Sequence, residues 1–444
     1  MNARSTALNI LCQQEESGHP LDMLMEQQIK KENPADMRDT NLTMALLYGV
    51  LRQRRYLDHV IASFAKHLLR KMKPRTLQAL RIGVYQLLCM ERIPASAAIN
   101  ETVQALKKAK QPKWLINFVN GVLRNVARNL DQLLKAKKGL PPAVRESHPD
   151  WLYDRWSRRY GDKTALKICR TNNSLPVLTL RLNRKKISPD EYLERLASAG
   201  IQAKQSDIIA EALHLAGYRG AISALPGYDQ GFFHVQDEAA QLIVSLFQPF
   251  GPGGRYLDSC AGLGGKTIQL AELLPKESTL TAVEPNKTRL RHLHENLKRM
   301  DFAADVSIFQ GRIESFQQKR GGLFTHILVD APCSGLGVIR RHPDIRWNRR
   351  PENLLSFQKK QLALLQTAVA MLAPGGILVY ATCSMEPEEN DEVIRHLLKN
   401  QPEMSVEQPK IPPGANGFLD EQNFLRTIPA PLHDGFFAAK LRKT

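Results

Sequence analysis

Residues 255–284 read RYLDSCAGLGGKTIQLAELLPKESTLTAVE. A short apolar strand, Tyr256 and Leu257, ends at Asp258 and turns through Cys260, Ala261, Gly262, Leu263, Gly264 and Gly265. A helix starts near Lys266 and carries Ile268, Leu270, Ala271 and Leu274. Past Pro275 a second strand, Leu280 to Val283, ends on Glu284. The pattern predicts a βαβ unit with glycines at its first turn and a carboxylate at its second strand tip. Glycines let backbone approach a ligand closely, and a helix start offers free N–H groups to an anionic one. A carboxylate about 20 residues on suits a ribose diol. A tight turn without a ligand would need none of this to coincide, so the stretch predicts a nucleoside-cofactor site.

Working outward, 444 residues suggest two or three domains with ample core. The formal charge of +18 points to a polyanionic partner, of which nucleic acid is the usual one. No apolar run is long enough to span a bilayer, and the first residues hold no signal-peptide core. The six cysteines, Cys12, Cys89, Cys169, Cys260, Cys333 and Cys383, form no CxxC pair. That excludes a disulfide framework and a zinc site, and fits a reducing cytoplasm.

The chain up to about residue 130 is helical in pattern. Leu42, Leu46, Val50, Leu57 and Ile61 form one apolar stripe, and Leu77, Leu80, Val84, Leu87 and Leu88 another. Pro74 and Pro94 stand where helices should begin, and Val119, Val122, Leu123 and Val126 close the bundle. Residues 1–140 hold 23 Lys and Arg against 11 Asp and Glu, a local excess of +12. The runs Arg52-Gln53-Arg54-Arg55 and Arg70-Lys71-Met72-Lys73-Pro74-Arg75 are candidate phosphate-contacting faces, or solvated surface.

After a Lys/Pro-rich connector, a helix is predicted past Pro149, burying Trp151, Trp156 and Tyr160. Leu178, Leu180 and Leu182 alternate as in a half-buried strand. Ser188-Pro189-Asp190-Glu191 reads as a capping box with proline in the first turn, and Gly200 ends that helix. Continuous apolar strands then recur at Leu280–Glu284, Val306–Phe309, His326–Asp330 and Ile377–Thr382 with helices between. A final strand covers residues 435–441. Such spacing predicts a parallel sheet covered on both faces. The expected architecture is multidomain: an all-α bundle over 1–140, a small α+β subdomain over 145–230, and an α/β Rossmann-like domain with a mostly parallel sheet over 231–444.

Two cysteines fall at strand ends: Asp330-Ala331-Pro332-Cys333-Ser334-Gly335 follows HILVD, and Ala381-Thr382-Cys383-Ser384 follows ILVY. Ligands of open parallel sheets bind outside the carboxyl ends of the strands. Free cysteine is commonly core, but two at such tips, one beside a carboxylate, point to chemistry.

The set D-x-C-A-G-x-G-G-K-T, D-A-P-C-S-G and A-T-C-S resembles the Sun/Fmu family of RNA cytosine-C5 methyltransferases. The front segment, with Ile99-Asn100-Glu101 and Asn120-Gly121-Val122-Leu123-Arg124, resembles the helical RNA-binding domain of the NusB antitermination factor over roughly residues 5–130. Together these cover almost the whole chain. The resemblance implies S-adenosylmethionine as cofactor and 16S ribosomal RNA as substrate, with Cys383 as nucleophile on cytosine C6. It implies Asp330 at the N3/N4 edge of the base and Cys333 assisting release. Covalent attack is needed because C5 is itself a poor nucleophile. Cofactor contacts carry over to Cys260, Ala261, Gly262, Leu263, Gly264, Gly265, Lys266, Asp330 and Glu284. Where the family has an acidic residue after its third strand, this chain has Gln310, which can still accept from the adenine amino group.

The stretch from Val338 to Arg350 combines five arginines with an indole. Arg340, Arg341, Arg346 and Trp347 are therefore candidate RNA contacts, able to hold phosphates and stack a base. A surface loop with Trp347 turned inward is the alternative. The expected protein is monomeric, with no membrane or DNA partner. A dehydrogenase would leave both strand-tip cysteines idle. A DNA cytosine methyltransferase would use a Pro-Cys nucleophile alone, whereas this chain also has Thr-Cys. A non-catalytic RNA-binding factor would have no use for Cys383, Asp330 and Lys266.

Overall fold

The computed structural model describes residues 2–32, 37–65 and 68–444. These fall into two compact units: Met1–Leu175 with Ile339–Arg349, and Pro176–Val338 with Arg350–Thr444.

The first unit is helical. Helices Ala3–Ser17, Leu21–Glu32, Met37–Phe64, Pro74–Cys89, Ala95–Lys108 and Lys113–Arg128 surround one core. Pro74 and Pro94 take the expected places, in the first turn and at the N-cap, where a missing N–H costs nothing. Leu46, Val50, Leu57, Ile61, Leu80, Val84, Val119 and Leu123 are buried together, each contributing roughly 1.5–3 kcal/mol on leaving water. Among these helices lies the buried Arg81, which forks onto Asp58 at 2.7 and 2.8 Å.

The domain boundary near residue 145 expected from sequence differs from the compact units. Helices Asp150–Tyr160 and Asp162–Asn173 belong to the helical unit, where the second packs on Met37–Phe64. Leu152, Trp156, Ala165, Ile168 and Cys169 are buried there, while Trp151 and Tyr160 stay half-exposed. Their apolar faces match helices, which no local signal assigns to one neighbour over another.

The second unit holds two sheets. The smaller runs β2-β3-β1-β4, all antiparallel, with β1 Leu178–Leu182, β2 Lys204–Gln205, β3 Ala212–Leu215 and β4 Phe233–Val235. Helix Pro189–Ser198 covers it, burying Tyr192 and Leu196 against Leu180, Leu213 and Phe233. Only half of the predicted capping box forms: Ser188 Oγ accepts from Glu191 N at 3.3 Å, but the Glu191 carboxylate turns to Arg195 at 2.9 Å. A buried Arg181–Glu272 ion pair joins β1 to helix Gly265–Leu273.

The larger sheet contains β5 Arg255–Asp258, β6 Thr279–Glu284, β7 Val306–Gln310, β8 Phe324–Asp330, β9 Leu372–Thr382, β10 Met404–Val406, β11 Leu425–Arg426 and β12 Phe437–Lys443. Its order is β10-β12-β9-β8-β5-β6-β7, with β11 paired to β12. The five strands β5 to β9 are mutually parallel, and β12 runs antiparallel to β9. Side chains alternate between two cores. Tyr256, Leu280, Ala282, Leu328, Val379 and Ala381 pack with Ile268, Leu270, Leu293 and Leu297. Leu257, Val283, Ile327, Val329, Leu378 and Tyr380 pack with Leu365, Val369, Val393 and Leu397. A sheet covered on both faces needs apolar residues at every strand position, which is why these strands read as unbroken hydrophobic runs. The chain leaves β5 for β6 on one side and reaches β8 on the other, so the carboxyl ends open a crevice at this reversal.

Candidate active site

Every strand of the parallel part delivers a polar residue to that edge: Asp258 from β5, Glu284 from β6, Gln310 from β7, Asp330 from β8 and Thr382, followed by Cys383, from β9. The loop after β5 is pinned across its neighbours, with Ser259 N donating to Leu328 O and Ala261 N to Val283 O, each at 3.0 Å. Gly264 closes the turn at φ +92° and opens helix Gly265–Leu273; a Cβ there would stand 2.5 Å from Leu293 Cδ1. Glu284 shapes this loop from below, accepting from Gly262 N at 2.9 Å and Asn286 N at 2.7 Å. Each carboxylate oxygen keeps a second lone pair for a ribose hydroxyl. Leu263 is 53% exposed and offers an apolar wall, and the exposed Gln310 is the register neighbour of Glu284. Free helix-start N–H groups, a glycine turn, an apolar wall and a carboxylate fit a nucleoside with a charged tail. Burial and the Asp258 charge push the Cys260 thiol well above its ordinary range.

Asp258 is the keystone of the loop. Its oxygens accept from Thr267 Oγ1 at 2.6 Å and, more loosely, from Cys260 N at 3.4 Å. Burial raises its carboxyl from the ordinary 3.8 to about 6, against the pull of these donors. The folded state therefore binds this proton more tightly than the unfolded chain. Its stabilising contribution is full below the unfolded value and is lost as pH rises through about 6. A shift of this size corresponds to roughly 3 kcal/mol. Asp258→Asn keeps an acceptor for Thr267 and removes the titration. Urea midpoints from pH 4 to 7 should show the wild type losing ground to this variant as pH rises, and a constant difference would refute the assignment.

The loops after β8 and β9 bring Cys333 and Cys383 together with their sulfurs 3.1 Å apart. Ala331 N donates to Ala381 O, and Gly337 N to Cys383 O, each at 2.9 Å. Gly337 is required by close approach: a Cβ would stand 2.0 Å from Gly435 O and 2.9 Å from Cys383 O. Lys266 Nζ meets Asp330 Oδ2 at 2.6 Å. Burial alone would weaken the hold of Lys266 on its proton, but the Asp330 carboxylate outweighs it and the ammonium is favoured. The Cys333 thiol is held well above its ordinary range by its hydrogen bond to Cys383, by burial and by the charges of Cys383 and Glu389.

A family model described as 16S rRNA methyltransferase RsmB/F matches residues 248–442, the NusB family matches 1–128, and an RsmF/B-like ferredoxin-like domain matches 148–220. The ribosomal RNA small subunit methyltransferase B of Pseudomonas syringae pv. tomato is 35% identical over 457 residues, covering 100% of this chain and 97% of the relative. The chain belongs to the 16S rRNA methyltransferase RsmB/F family. The fold agrees along its length with the crystal structure of PH0851, at a TM-score of 0.80 and 24% identity over 100% of this chain and 99% of that one. A methyltransferase homolog from Pyrococcus horikoshii is 30% identical with a TM-score of 0.58, covering 68% of this chain and 98% of that one. This RsmB/F protein is accordingly an S-adenosylmethionine-dependent rRNA methyltransferase. No helix among its described residues is long and apolar enough to cross a membrane.

The candidate RNA contacts of this RsmB/F chain are where the structure departs most from the sequence reading. Arg340 and Arg346 are fully buried and Arg341 is half-buried, within the helical unit. Arg346 donates to Asn173 Oδ1 at 2.8 Å, Asn172 O at 3.0 Å and Ser147 O at 3.1 Å. Trp347 turns inward, its indole N–H on Leu51 O at 2.7 Å and its ring 5.4 Å from the Arg54 guanidinium. Arg346 spends its donors on helix-end acceptors and presents no surface to phosphate, and the half-buried Trp347 spends its N–H on a helix-backbone carbonyl. The Arg52–Arg55 run is likewise occupied: Arg52 donates to Arg340 O at 2.9 Å, Arg54 pairs with Glu15 at 3.0 Å and Arg55 with Asp150 at 2.6 Å. Arg70, Lys71 and Lys73 remain exposed.

The sequence reading also passed over an indole that faces water. Trp114 is 69% exposed, with exposed Lys107, Lys108, Lys110 and Lys113 just before it. Along the same helix Asn117, Gly121, Arg124 and Arg128 form one exposed line, and Asn100, Arg124 and Arg128 border a groove of about 610 Å³. Its signal was present as lysines flanking an aromatic residue at the edge of an amphipathic pattern.

Proposed function

We propose that this protein transfers a methyl group to C5 of a cytosine in 16S ribosomal RNA through a covalent bond between Cys383 and C6. The observation that carries this reading is the pair of thiols 3.1 Å apart at adjacent parallel strand tips, beside the Lys266–Asp330 pair. S-adenosylmethionine, when bound, would supply the electrophilic methyl, its sulfur keeping the electron pair of the broken S–CH3 bond as a neutral thioether. The loop Cys260 to Lys266, with Leu263 and Gly264 in its turn, together with Glu284 and Gln310, would hold it; the geometry of the turn supports this set. Cys383 adds to C6, the C5=C6 electron pair moves toward N3, and the hydrogen-bonded Lys266–Asp330 pair supplies the proton there. C5, now enamine-like, takes the methyl. As the C5 proton is lost, its electron pair re-forms C5=C6 and expels Cys383 as thiolate, while N3 returns its proton to the Lys266–Asp330 pair; Cys333 is assigned to assist that proton loss and release. The base must be unstacked to reach such a site.

The direct test is to incubate 16S RNA with methyl-labelled cofactor and digest the product to nucleosides. Label in 5-methylcytidine is expected, and label in any other nucleoside would overturn the assignment to cytosine C5.

For RNA docking, the exposed Trp114 and Arg124 face supports binding of a single-stranded segment by stacking and phosphate contact. Trp114→Ala should weaken RNA binding by about 1–3 kcal/mol with an unchanged salt slope, because a neutral ring releases no counterion. Arg124→Ala should lower the slope by about one. Anisotropy titrations across salt separate the two, and wild-type affinity in both variants would remove this face from the RNA path.

A further inference from the structure

A fully buried carboxylate behind the two thiols has no role in the chemistry above. Glu389 accepts from Ser334 N at 2.7 Å, from Ser334 Oγ and Ser384 Oγ at 2.5 Å each, and from Gln361 Nε2 at 3.1 Å. Ser334 follows Cys333 and Ser384 follows Cys383. The outer flanks are tied into the same network. Gln361 Nε2 also donates to Pro332 O at 3.1 Å, and Asn390 accepts from Thr382 Oγ1 at 2.7 Å while donating to Ser384 O at 2.9 Å. Ser334, Thr382 and Ser384 are thus bonded directly to the segment Glu389–Asn390, and Pro332 is joined to it through Gln361; the segment is itself anchored by Tyr380 OH on Glu389 O at 2.6 Å. A carboxylate is costly to bury and is retained only when its lone pairs are filled. Four donors fill them here.

We propose that Glu389 is a positioning residue for methyl transfer: through Ser334 and Ser384 its carboxylate sets the separation of the Cys333 and Cys383 sulfurs. The proposal rests on the covalent reading above only for its effect on turnover. The spacing itself can be measured without substrate. Sulfurs held in contact need little movement to reach the bonding distance of about 2.05 Å. When diamide is added to the free enzyme, the two thiols lose two protons and two electrons to its N=N bond. The closure rate therefore reports their separation.

The variants are Glu389→Asp, which shortens the reach by one methylene, and Ser384→Ala, which removes one strut and leaves the carboxylate bonded to Ser334 and Gln361. In each, disulfide closure between Cys333 and Cys383, followed by peptide mass spectrometry, should slow about tenfold or more. The kcat should fall about 10- to 100-fold, as for a small misplacement of reacting groups, with KM for S-adenosylmethionine within about twofold of wild type. Unchanged closure in a variant that binds cofactor normally overturns the proposal, whatever happens to kcat. Slower closure with unchanged kcat sustains the spacing role and instead refutes the covalent use of both thiols. Should Glu389→Asp fail to bind cofactor, Ser384→Ala carries the same measurement.

Discussion

Cys383→Ala is expected to abolish methyl transfer, by on the order of 10⁴-fold or more, and with it any covalent complex with RNA. Cofactor affinity, measured by calorimetry, should stay near wild type, because the contacts assigned to it lie in the Cys260–Lys266 turn and at Glu284. Cys333→Ala should separate the two thiols. Attack and transfer can still proceed, but release is slowed, so the enzyme remains bonded to methylated RNA. A slow-migrating band on a denaturing gel, present only with both substrate and cofactor, is the readout. This order of roles follows the resemblance of Ala381-Thr382-Cys383-Ser384 to the family's nucleophile motif. An adduct trapped in Cys383→Ala and absent in Cys333→Ala would reverse the roles. Normal turnover in both would remove the covalent mechanism altogether.

The second large effect concerns stability rather than catalysis. Arg346→Met should destabilise the helical unit by about 3–5 kcal/mol, because several buried acceptors lose their donor at about 1–3 kcal/mol each. Arg346 has no carboxylate among its bonded partners; its nitrogens are spent on Asn173 Oδ1 and the carbonyls of Asn172 and Ser147. Burial brings its guanidinium down to about 9, so the charge persists at neutral pH and draws these acceptors together. Methionine fills comparable volume but leaves each of them unsatisfied away from water. Urea or thermal unfolding of the full chain measures the loss. The salt slope of RNA binding should not change, since a buried guanidinium neutralises no phosphate. A reduced slope with unaltered stability would restore Arg346 to the RNA surface.

That residue marks the division between what was legible in the chain and what was not. The βαβ unit at 255–284, the strand ends carrying Asp330, Cys333 and Cys383, the proline helix starts and the two-faced sheet are all local patterns. Each depends on residues a few positions apart, through φ preferences, hydrogen-bond caps and the periods of helix and strand. The family resemblance added the roles that spacing alone leaves open, including the choice of Cys383 over Cys333.

Other features depended on partners far apart in sequence. The arginines after Val338 have the composition of an RNA-binding loop, yet Arg346 is claimed by Ser147, Asn172 and Asn173, and Trp347 by Leu51. Trp114, in an unremarked lysine run, is the indole left in water. Glu389 meets Ser334 across 55 residues. A charged or aromatic side chain has the same sequence signature whether it faces phosphate or a buried carbonyl. The sequence alone therefore determined the sheet, its glycine turn and the two strand-tip thiols. Tertiary structure decided which arginines are buried, which indole is free and which carboxylate ties the thiol loops together. The reason is physical: local patterns set which backbone groups are paired within an element, but only folding decides which unpaired donors and acceptors are removed from water together, and those must find each other.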